Sequence, residues 1–228
     1  MEFKKVTREW DTLKKDAMER AKNAAPLVKE GKIVDAKDTV ALLEAVIKPY
    51  DKVNIEGNNQ KQADFLAKCL CQVDPAKIHD LHMVQSVLTL PEHLDVFEKG
   101  IAKKLDMSFS GPQAGRIAQF LQEGKLELGA IHTYLELYGR YFVDLTPRVA
   151  LVAATMADRE GNLFTGFSTE DTPAIVEATK FRQGIVIAQV NKIVDKLPRV
   201  DIPGDWVDYV IQSPKPFYIE PLFTRDQA

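Results

Sequence analysis

The spacing of apolar and polar residues changes abruptly near residue 57, and this change predicts a strand, a short loop and a helix in succession. Residues 53–56 alternate between apolar and polar side chains, which is typical of a strand. After Gly57 the apolar residues Phe65, Leu66, Cys69 and Leu70 fall at helical spacing, which predicts a helix over 60–71. Asn58 or Asn59 is the predicted N-cap of that helix, since a side-chain amide oxygen can accept a backbone N–H there.

Along the rest of the chain the same patterns predict strands and helices in alternation, so we predict an α/β fold. Residues 184–190 are almost entirely apolar, which is typical of a strand buried on both faces in a parallel sheet covered by helices. The pattern over 126–141 is ambiguous between a strand near 128–131 and a helical or extended segment over 134–142. The remaining predictions are helices over 38–47, 91–103 and 172–180, a helix opened by Ser110-Gly111-Pro112, and strands over 79–90, 105–109, 148–157, 163–165 and 206–211.

Two helix starts carry specific predictions, because polar caps and first-turn prolines mark the beginnings of helices. Asp38 is the predicted cap of the helix over 38–47. Thr172-Pro173 is the predicted cap and first-turn proline of the helix over 172–180.

Composition and charge narrow the classes of protein to consider. The chain has 228 residues, 45% of them hydrophobic, and a formal net charge of −3 from 30 basic and 33 acidic residues. This size suits one large domain or two small ones, and the balanced charge argues against a nucleic-acid or membrane-surface partner. No apolar run reaches the roughly 20 residues of a membrane span, and the charged N-terminus lacks the apolar core of a signal peptide. We therefore expect a cytoplasmic protein.

Residues 1–32 are predicted to form an N-terminal helical arm, followed by a single α/β lobe over 33–228. Apolar residues in the arm recur every three or four positions among many lysines and arginines, which indicates an amphipathic helix. Its basic face is either a solvated surface or a docking surface for an acidic partner such as a carrier protein.

The loop after the first strand of this lobe holds the main candidate site. Gly57, Asn58, Asn59 and Gln60 combine amide donors with a predicted helix start, a combination that favours an anion or a developing oxyanion. The alternative is an ordinary capped turn. Ser110 and Gly111 form a second strand-to-helix junction, and ligands of open α/β sheets gather at such carboxyl ends of strands.

Other chemistry-bearing residues favour structural roles. Cys69 and Cys71 are two residues apart on a predicted helix and point in different directions, so neither a disulfide nor a shared metal is expected. His79 and His82 lack a partner at a recognised ligand spacing, so no metal site is predicted. The aromatic residues between 134 and 142 are core side chains or the lining of a pocket. No phosphate loop, dinucleotide-binding fingerprint or serine-nucleophile motif is present.

Long motifs resemble the N-terminal part of the malonate decarboxylase alpha-subunit family, which belongs to the CoA-transferase superfamily. They cover nearly everything after residue 33 and comprise 53–66 (VNIEGNNQKQADFL), 79–90 (HDLHMVQSVLTL), 108–115 (SFSGPQAG), 129–147 (GAIHTYLELYGRYFVDLTP), 169–178 (TEDTPAIVEA), 185–205 (IVIAQVNKIVDKLPRVDIPGD) and 218–226 (YIEPLFTRD). The superfamily pattern also includes the Ala-Asp-x-x-Gly-Asn turn at 157–162 and the Pro-Gly-x-x-Val-Asp segment at 203–208. Many relatives carry Gly-Gly-Phe after the first strand, where this chain has Glu56-Gly57-Asn58-Asn59, so their CoA contacts do not transfer directly.

The resemblance implies a CoA-transferase-like lobe that takes part in passing an acyl carrier protein from acetyl-S-carrier to malonate. It implies the carrier protein and decarboxylase subunits as partners, with a CoA-like phosphopantetheine group carried on the carrier and no cofactor bound directly. The resemblance places the nucleophilic glutamate of such transferases in a second lobe, a partner that this chain lacks. Glu56 is the local candidate for a catalytic carboxylate, with a structural role as the alternative.

Competing interpretations remain open at the level of the sequence. The lobe of a citrate lyase alpha subunit or of a free-CoA transferase is an enzymatic alternative. A carrier-protein docking module without catalysis is another. A sugar-phosphate isomerase of similar architecture is disfavoured, because no cluster of Asp, Glu and Lys is arranged for enediol chemistry.

Overall fold

A computed structural model describes residues 12–57 and 61–217, and this part of the chain forms seven α-helices and ten strands. The helices are α1 Thr12–Ala24, α2 Thr39–Val46, α3 Asp64–Leu70, α4 Glu92–Glu98, α5 Ala114–Gln122, α6 Tyr134–Val143 and α7 Thr172–Phe181. The strands are β1 Val28–Glu30, β2 Ile33–Val34, β3 Lys52–Ile55, β4 Leu81–Val87, β5 Ala102–Phe109, β6 Glu127–Ile131, β7 Val149–Ala157, β8 Leu163–Phe164, β9 Ile185–Ile193 and β10 Tyr209–Gln212.

The strands form one mixed but mostly parallel sheet in the order β1-β2-β10-β9-β7-β3-β4-β5-β6, with β8 paired to β7. The pairs from β2 through β6 along this order are all parallel, and β1–β2 and β7–β8 are antiparallel. The apolar run at 184–190 corresponds to β9, which lies between β7 and β10 and is parallel to both. The prediction of an α/β fold with a parallel sheet is therefore confirmed.

Helices cover both faces of the sheet, and the alternation of side chains along each strand divides the core in two. On β9, Ile185 and Ile187 pack into the core shared with α1 to α5, whereas Val186 and Ala188 pack into the core shared with α6 and α7. Successive side chains of a strand point to opposite faces. Because both faces are covered, β9 has no polar face, which explains the continuous apolar run in the sequence.

Helix α1 is attached to the lobe by one buried charge pair and by partly exposed ones. Arg20 is only 3% exposed, and its guanidinium donates to Asp51 at 2.5 and 3.0 Å and to the carbonyl oxygen of Val46 at 2.6 Å. Asp16 accepts from Arg20 at 2.7 Å and from Lys48 at 2.8 Å. The predicted boundary between residues 32 and 33 falls in the turn between β1 and β2, which are the outermost strands at one edge of the sheet.

The structure corrects three predictions about helix starts. Helix α3 begins at Asp64 with Ala63 as its N-cap, so the prediction that Asn58 or Asn59 caps it is wrong. Helix α7 has Asp171 at its N-cap, and the hydroxyl of Thr172 is directed to another side chain instead. Asp38 precedes α2 as predicted, but its side chain makes no capping hydrogen bond. Local residue preference located the helices, and for Thr172 a tertiary contact with Glu56 decided the role of the side chain.

The ambiguous segment over 126–141 contains both candidate elements, a strand and then a helix. Strand β6 continues the parallel sheet beside β5. Helix α6 follows directly and starts with a side-chain cap, because the Thr133 hydroxyl accepts from the backbone N–H of Glu136 at 3.2 Å. Strand β10 begins at Tyr209 rather than 206, since residues 204–206 form a 3₁₀ turn.

Candidate functional site

A buried ion pair lies at the carboxyl end of β3. Glu56 follows this strand directly, and its carboxylate is 2.9 Å from the ammonium nitrogen of Lys61, with both side chains fully buried. The other oxygen of Glu56 accepts from the backbone N–H of Ala153 on β7 at 2.7 Å. The Thr172 hydroxyl accepts from Lys61 and donates to Glu56. One carboxylate thus joins β3, β7, the start of α7 and the segment that follows the Gly57 loop.

Burial raises the pKa of Glu56, while the Lys61 ammonium acts in the opposite direction. The charge of Asp171 adds to the rise, and the hydrogen bonds from Ala153 and Thr172 oppose it. A carboxylate whose two oxygens are both engaged and closed to solvent is well suited to holding segments together.

A second buried carboxylate lies next to this pair. Asp171 is 1% exposed, and one of its oxygens accepts from the hydroxyl of Ser86 near the end of β4. Its other oxygen, Oδ1, has no hydrogen-bond partner among the described residues. We call Glu56, Lys61, Ser86, Asp171 and Thr172 the carboxyl-edge cluster. Buried carboxylate oxygens are nearly always hydrogen-bonded in native folds, so Oδ1 of Asp171 is unusual among the described residues.

Aromatic side chains of α6 border this cluster. The rings of Tyr138 and Tyr141 stack with centroids 6.3 Å apart, and Tyr134 lies 6.4 Å from Tyr138. Burial, with the charge of Asp171 as the next cause, raises the pKa of Tyr138 and of the fully buried Tyr141. Tyr141 is thus a core residue, whereas Tyr134 is 45% exposed and brings the cluster's border to the protein surface.

The Gly57 loop is closed at its base by backbone pairing. Gly57 forms an antiparallel bridge with Gln62, and the N–H of Ala63 donates to the carbonyl oxygen of Glu56 at 2.9 Å. A Cβ at Gly57 would collide with the imidazole of His93 and lie 2.9 Å from the carbonyl oxygen of Val87. Asn58, Asn59 and Gln60 lie outside the described residues, so their predicted contacts remain predictions.

Ser110 and Gly111 lie at the same edge of the sheet, directly after β5. Gly111 has a φ of +52°, which favours glycine, and a Cβ there would lie 3.1 Å from the carbonyl oxygen of Leu88. Gly57 and Gly111 thus approach consecutive residues of the segment leaving β4. Gly57 and Gly111, both predicted site residues, therefore lie against the same short segment. The side chain of Glu56 points instead to the opposite face of the sheet, towards α7.

Several buried polar groups on the Gly57 side are unsatisfied. His93 Nε2, both amide atoms of Gln85 and the Thr89 hydroxyl have no hydrogen-bond partner among the described residues. Burial lowers the pKa of His93 to about 3, so the ring is neutral at pH 7. Nδ1 of His93 accepts from the backbone N–H of Leu90 at 3.5 Å, so Nε2 carries the ring proton. These groups could not be predicted, because no pattern in residues 85–93 indicates which polar side chains are buried.

The cysteines and His82, for which the sequence predicted structural roles, are held within the fold. Cys69 and Cys71 are buried free thiols, and burial raises their pKa values to about 11 and about 12. His82 and His132 both contact Asp106, at 2.7 and 2.8 Å. Over residues 12–57 and 61–217, no group of three or more His, Cys, Asp or Glu is arranged to hold a metal ion. Across the same ranges, none of the helices has the length and apolarity needed to cross a membrane.

Sequence reasoning missed Lys61, Ser86 and Asp171 as members of the cluster. Lys61 and Asp171 lie within motifs that carried the family resemblance, which was the available signal. Ser86 lies within the 79–90 motif as well, but no local pattern indicated that this serine of β4 would meet Asp171.

Comparison with known proteins identifies the family of the chain. Residues 9–228 match the family model described as malonate decarboxylase, alpha subunit, transporter. The chain is 67% identical over 219 residues to the acetyl-S-ACP:malonate ACP transferase of Malonomonas rubra, covering 96% of this chain and 40% of that protein.

Solved structures give the same result. The chain superposes with a TM-score of 0.93 and 58% identity on a chain of the Pseudomonas malonate decarboxylase hetero-tetramer in complex with malonate, covering 96% of this chain and 40% of that one. Glutaconate coenzyme A-transferase from Acidaminococcus fermentans, at 15% identity, shares the fold with a TM-score of 0.62 over 80% of this chain and 76% of its own. The predicted CoA-transferase-like fold is confirmed. The chain spans about 40% of the length of its close relatives, and it belongs to the malonate decarboxylase alpha-subunit family.

Proposed function

We propose that this chain supplies one lobe of an acetyl-S-ACP:malonate ACP transferase. The observation that carries the proposal is the 67% identity, over 96% of the chain, to a protein of that name. In the proposed reaction malonate receives the carrier thiol as a new thioester, and acetate leaves. The substrate thioester is borne by the phosphopantetheine arm of the carrier protein, which therefore enters as part of a substrate.

The carboxyl-edge cluster supports a positioning role for Glu56 in this reaction. Its carboxylate is engaged by Lys61, Thr172 and Ala153, which fixes both sides of the Gly57 loop. We propose that Gly57, Asn58, Asn59 and Gln60 form a donor-rich rim that holds the thioester oxygen as negative charge develops on it, with Ser110 and Gly111 beside it. The attacking carboxylate is proposed to come from the part of the relatives that this chain does not span.

We also propose that the chain works in a multisubunit complex. Its Pseudomonas relative was solved as a malonate decarboxylase hetero-tetramer. The partners proposed for this chain are the acyl carrier protein and decarboxylase subunits, which would convert malonyl-S-carrier back to acetyl-S-carrier.

A chimera tests the activity directly. Residues 9–228 replace the matching part of the Malonomonas rubra relative, and malonyl-S-carrier formed from acetyl-S-carrier and malonate is measured by mass spectrometry. We expect malonate-dependent transfer. Citrate or acetate as the preferred acceptor, or free CoA as the preferred thiol, would favour the citrate lyase or free-CoA alternatives. Carrier binding without any transfer, where the unmodified relative is active, would favour the docking module.

The loop is tested in the same chimera. Asn58→Ala and Asn59→Ala are each expected to lower the transfer rate by about 10²-fold, the usual effect of losing one oxyanion donor, with little change in melting temperature. Gln72→Ala removes an exposed amide just after α3 and serves as the matched control. Unchanged rates in both asparagine variants would rule out the proposed rim.

A further inference from the structure

A cavity lies at the amino edge of the sheet, opposite the carboxyl-edge cluster, and is lined by charged side chains. It encloses about 330 Å³ and is bounded by the starts of β3 and β4, the strands β5 and β6, and the last turn of α6. We call its charged lining the amino-edge pocket, which comprises Lys52, His82, Lys104, Asp106, Arg140 and Asp144.

The same strands contribute to both sites at their two ends. On β3 and β4, Lys52 and His82 share a sheet face with Asn54 and Val84, and the same alternation continues to Glu56 and Ser86. The amino-edge pocket is therefore separated from the carboxyl-edge cluster by the length of the strands, with Asn54 and the buried Tyr141 hydroxyl, 3.3 Å apart, lying between them.

The floor of the pocket is rigidly built. The Asp106 carboxylate is 3% exposed and contacts Nε2 of His82 at 2.7 Å and Nε2 of His132 at 2.8 Å. A Cβ at Gly129 would collide with this carboxylate, so the glycine allows β6 to cover it. With Asp106 accepting from Nε2–H, no hydrogen bond within the described residues engages Nδ1 of His82.

The cations of the pocket outnumber its carboxylates. Asp144 is held by Arg140 through two contacts of 2.5 Å, and Asp106 is held by the two histidines. Lys52 and Lys104 have no ion pair among the described residues. Both ammonium groups lie close enough to His82 to lower its pKa, after the larger effect of burial and against the opposing effect of Asp106.

We propose that the amino-edge pocket binds a dianionic oxyanion group, either a phosphate or a dicarboxylate. Lys52 and Lys104 supply the charge, Arg140 adds donors, and the His82 ring lines the wall beside them. The charged lining excludes an apolar ligand, and the volume falls at the small end of the range for ligand sites.

Calorimetric titration of the full chain with inorganic phosphate and with malonate, against sodium chloride at matched ionic strength, tests the proposal. We expect saturable binding of at least one dianion, and the comparison of the two identifies the preferred class. Lys52→Ala and Lys104→Ala are each expected to weaken binding by about fivefold, as for a partly exposed ion pair.

Lys103→Ala is the matched control, because Lys103 is exposed on the same strand, faces the other side and pairs with Glu127 at 3.3 Å. We expect it to leave the affinity unchanged. Equal losses from Lys103→Ala and Lys104→Ala would show non-specific charge attraction and overturn the proposal, as would the absence of saturable binding by either dianion.

Histidine-resolved NMR locates the ligand independently of any transfer activity. The titrated dianion is expected to shift the ring resonances of His82 and leave those of the buried His93 in place. Binding that shifts neither residue of the His82–His132 pair would place the ligand elsewhere and contradict the proposal. Since the readout is binding by this chain, its failure would leave the proposed transfer reaction untouched.

Discussion

Gly57 shows how a single residue type can be required by neighbours distant in sequence. Its backbone runs so close to His93 and to the Val87 carbonyl that no side chain fits. The strand-loop-helix pattern placed this glycine in a turn, but turn geometry is only one of the reasons that the position requires glycine. Close approach to α4 is the tighter constraint, and it also holds the base of the loop in place.

Substituting this glycine gives a direct test of the close approach. Gly57→Ala is expected to lower the free energy of unfolding by about 1–3 kcal/mol, because the added methyl group overpacks the site. Gly139→Ala is the control, since Gly139 lies in α6 with open space around its Cβ position, and there alanine is expected to stabilise by about 0.5–1 kcal/mol. Urea unfolding of both variants checks this, and equal effects would contradict the packing argument.

The Glu56–Lys61 pair is expected to behave as a coupled unit. Glu56→Gln or Lys61→Met alone breaks the buried pair, at a cost of about 3–5 kcal/mol in unfolding free energy. The double variant removes both charges, so its loss is expected to be smaller than the sum of the two single losses. A double-mutant cycle by chemical denaturation measures the coupling, and strict additivity would show that the two groups do not depend on each other.

At the scale of elements, α1 and α6 each connect parts of the lobe that are far apart in sequence. Helix α1 reaches Asp51 and Arg148 through Arg20 and Asp16. Helix α6 runs from the border of the carboxyl-edge cluster at Tyr134 to the amino-edge pocket at Arg140. The basic composition of the N-terminal segment predicted an exposed amphipathic helix, but two of its charged residues are bonded to the lobe.

Removing the buried arginine tests how firmly α1 is attached. Arg20→Met is expected to lower the free energy of unfolding by about 3 kcal/mol, because Asp51 loses its buried partner. Lys22→Met changes an exposed lysine of the same helix and is expected to stay within about 0.5 kcal/mol of the wild type. Hydrogen exchange of α1 amides would report local release, and unchanged exchange in Arg20→Met would contradict this attachment.

For the molecule as a whole, acid sensitivity follows from histidines and carboxylates with lowered pKa values. His93 has a folded-state pKa of about 3 against roughly 6.5 in an unfolded chain. Because the unfolded state binds this proton more tightly, the stabilisation is complete above about pH 6.5 and is lost as the pH falls towards 3. Burial likewise lowers the pKa of His82, so its contribution has the same sign.

The pH dependence is measurable with one variant. Between about pH 6 and pH 4, His93 is expected to contribute a loss of about 1.4 kcal/mol in unfolding free energy per pH unit. His93→Phe removes this proton uptake, so its stability curve is expected to be flatter over that range by about this slope. Urea midpoints collected at several pH values test the expectation, and parallel curves for the two proteins would refute it.

The sequence alone determined the class of fold. Apolar residues recur every second position in strands and every three to four in helices, and the nearly continuous apolar run at the start of β9 indicates burial on both faces. Its long motifs also indicated the family that the comparisons then showed. The tertiary structure decided the sites. Thr172 faces Glu56 instead of capping its helix, and Ser86 meets Asp171 across 85 residues of chain. Such pairings depend on strand order and register, which bring distant residues together and which no local pattern encodes.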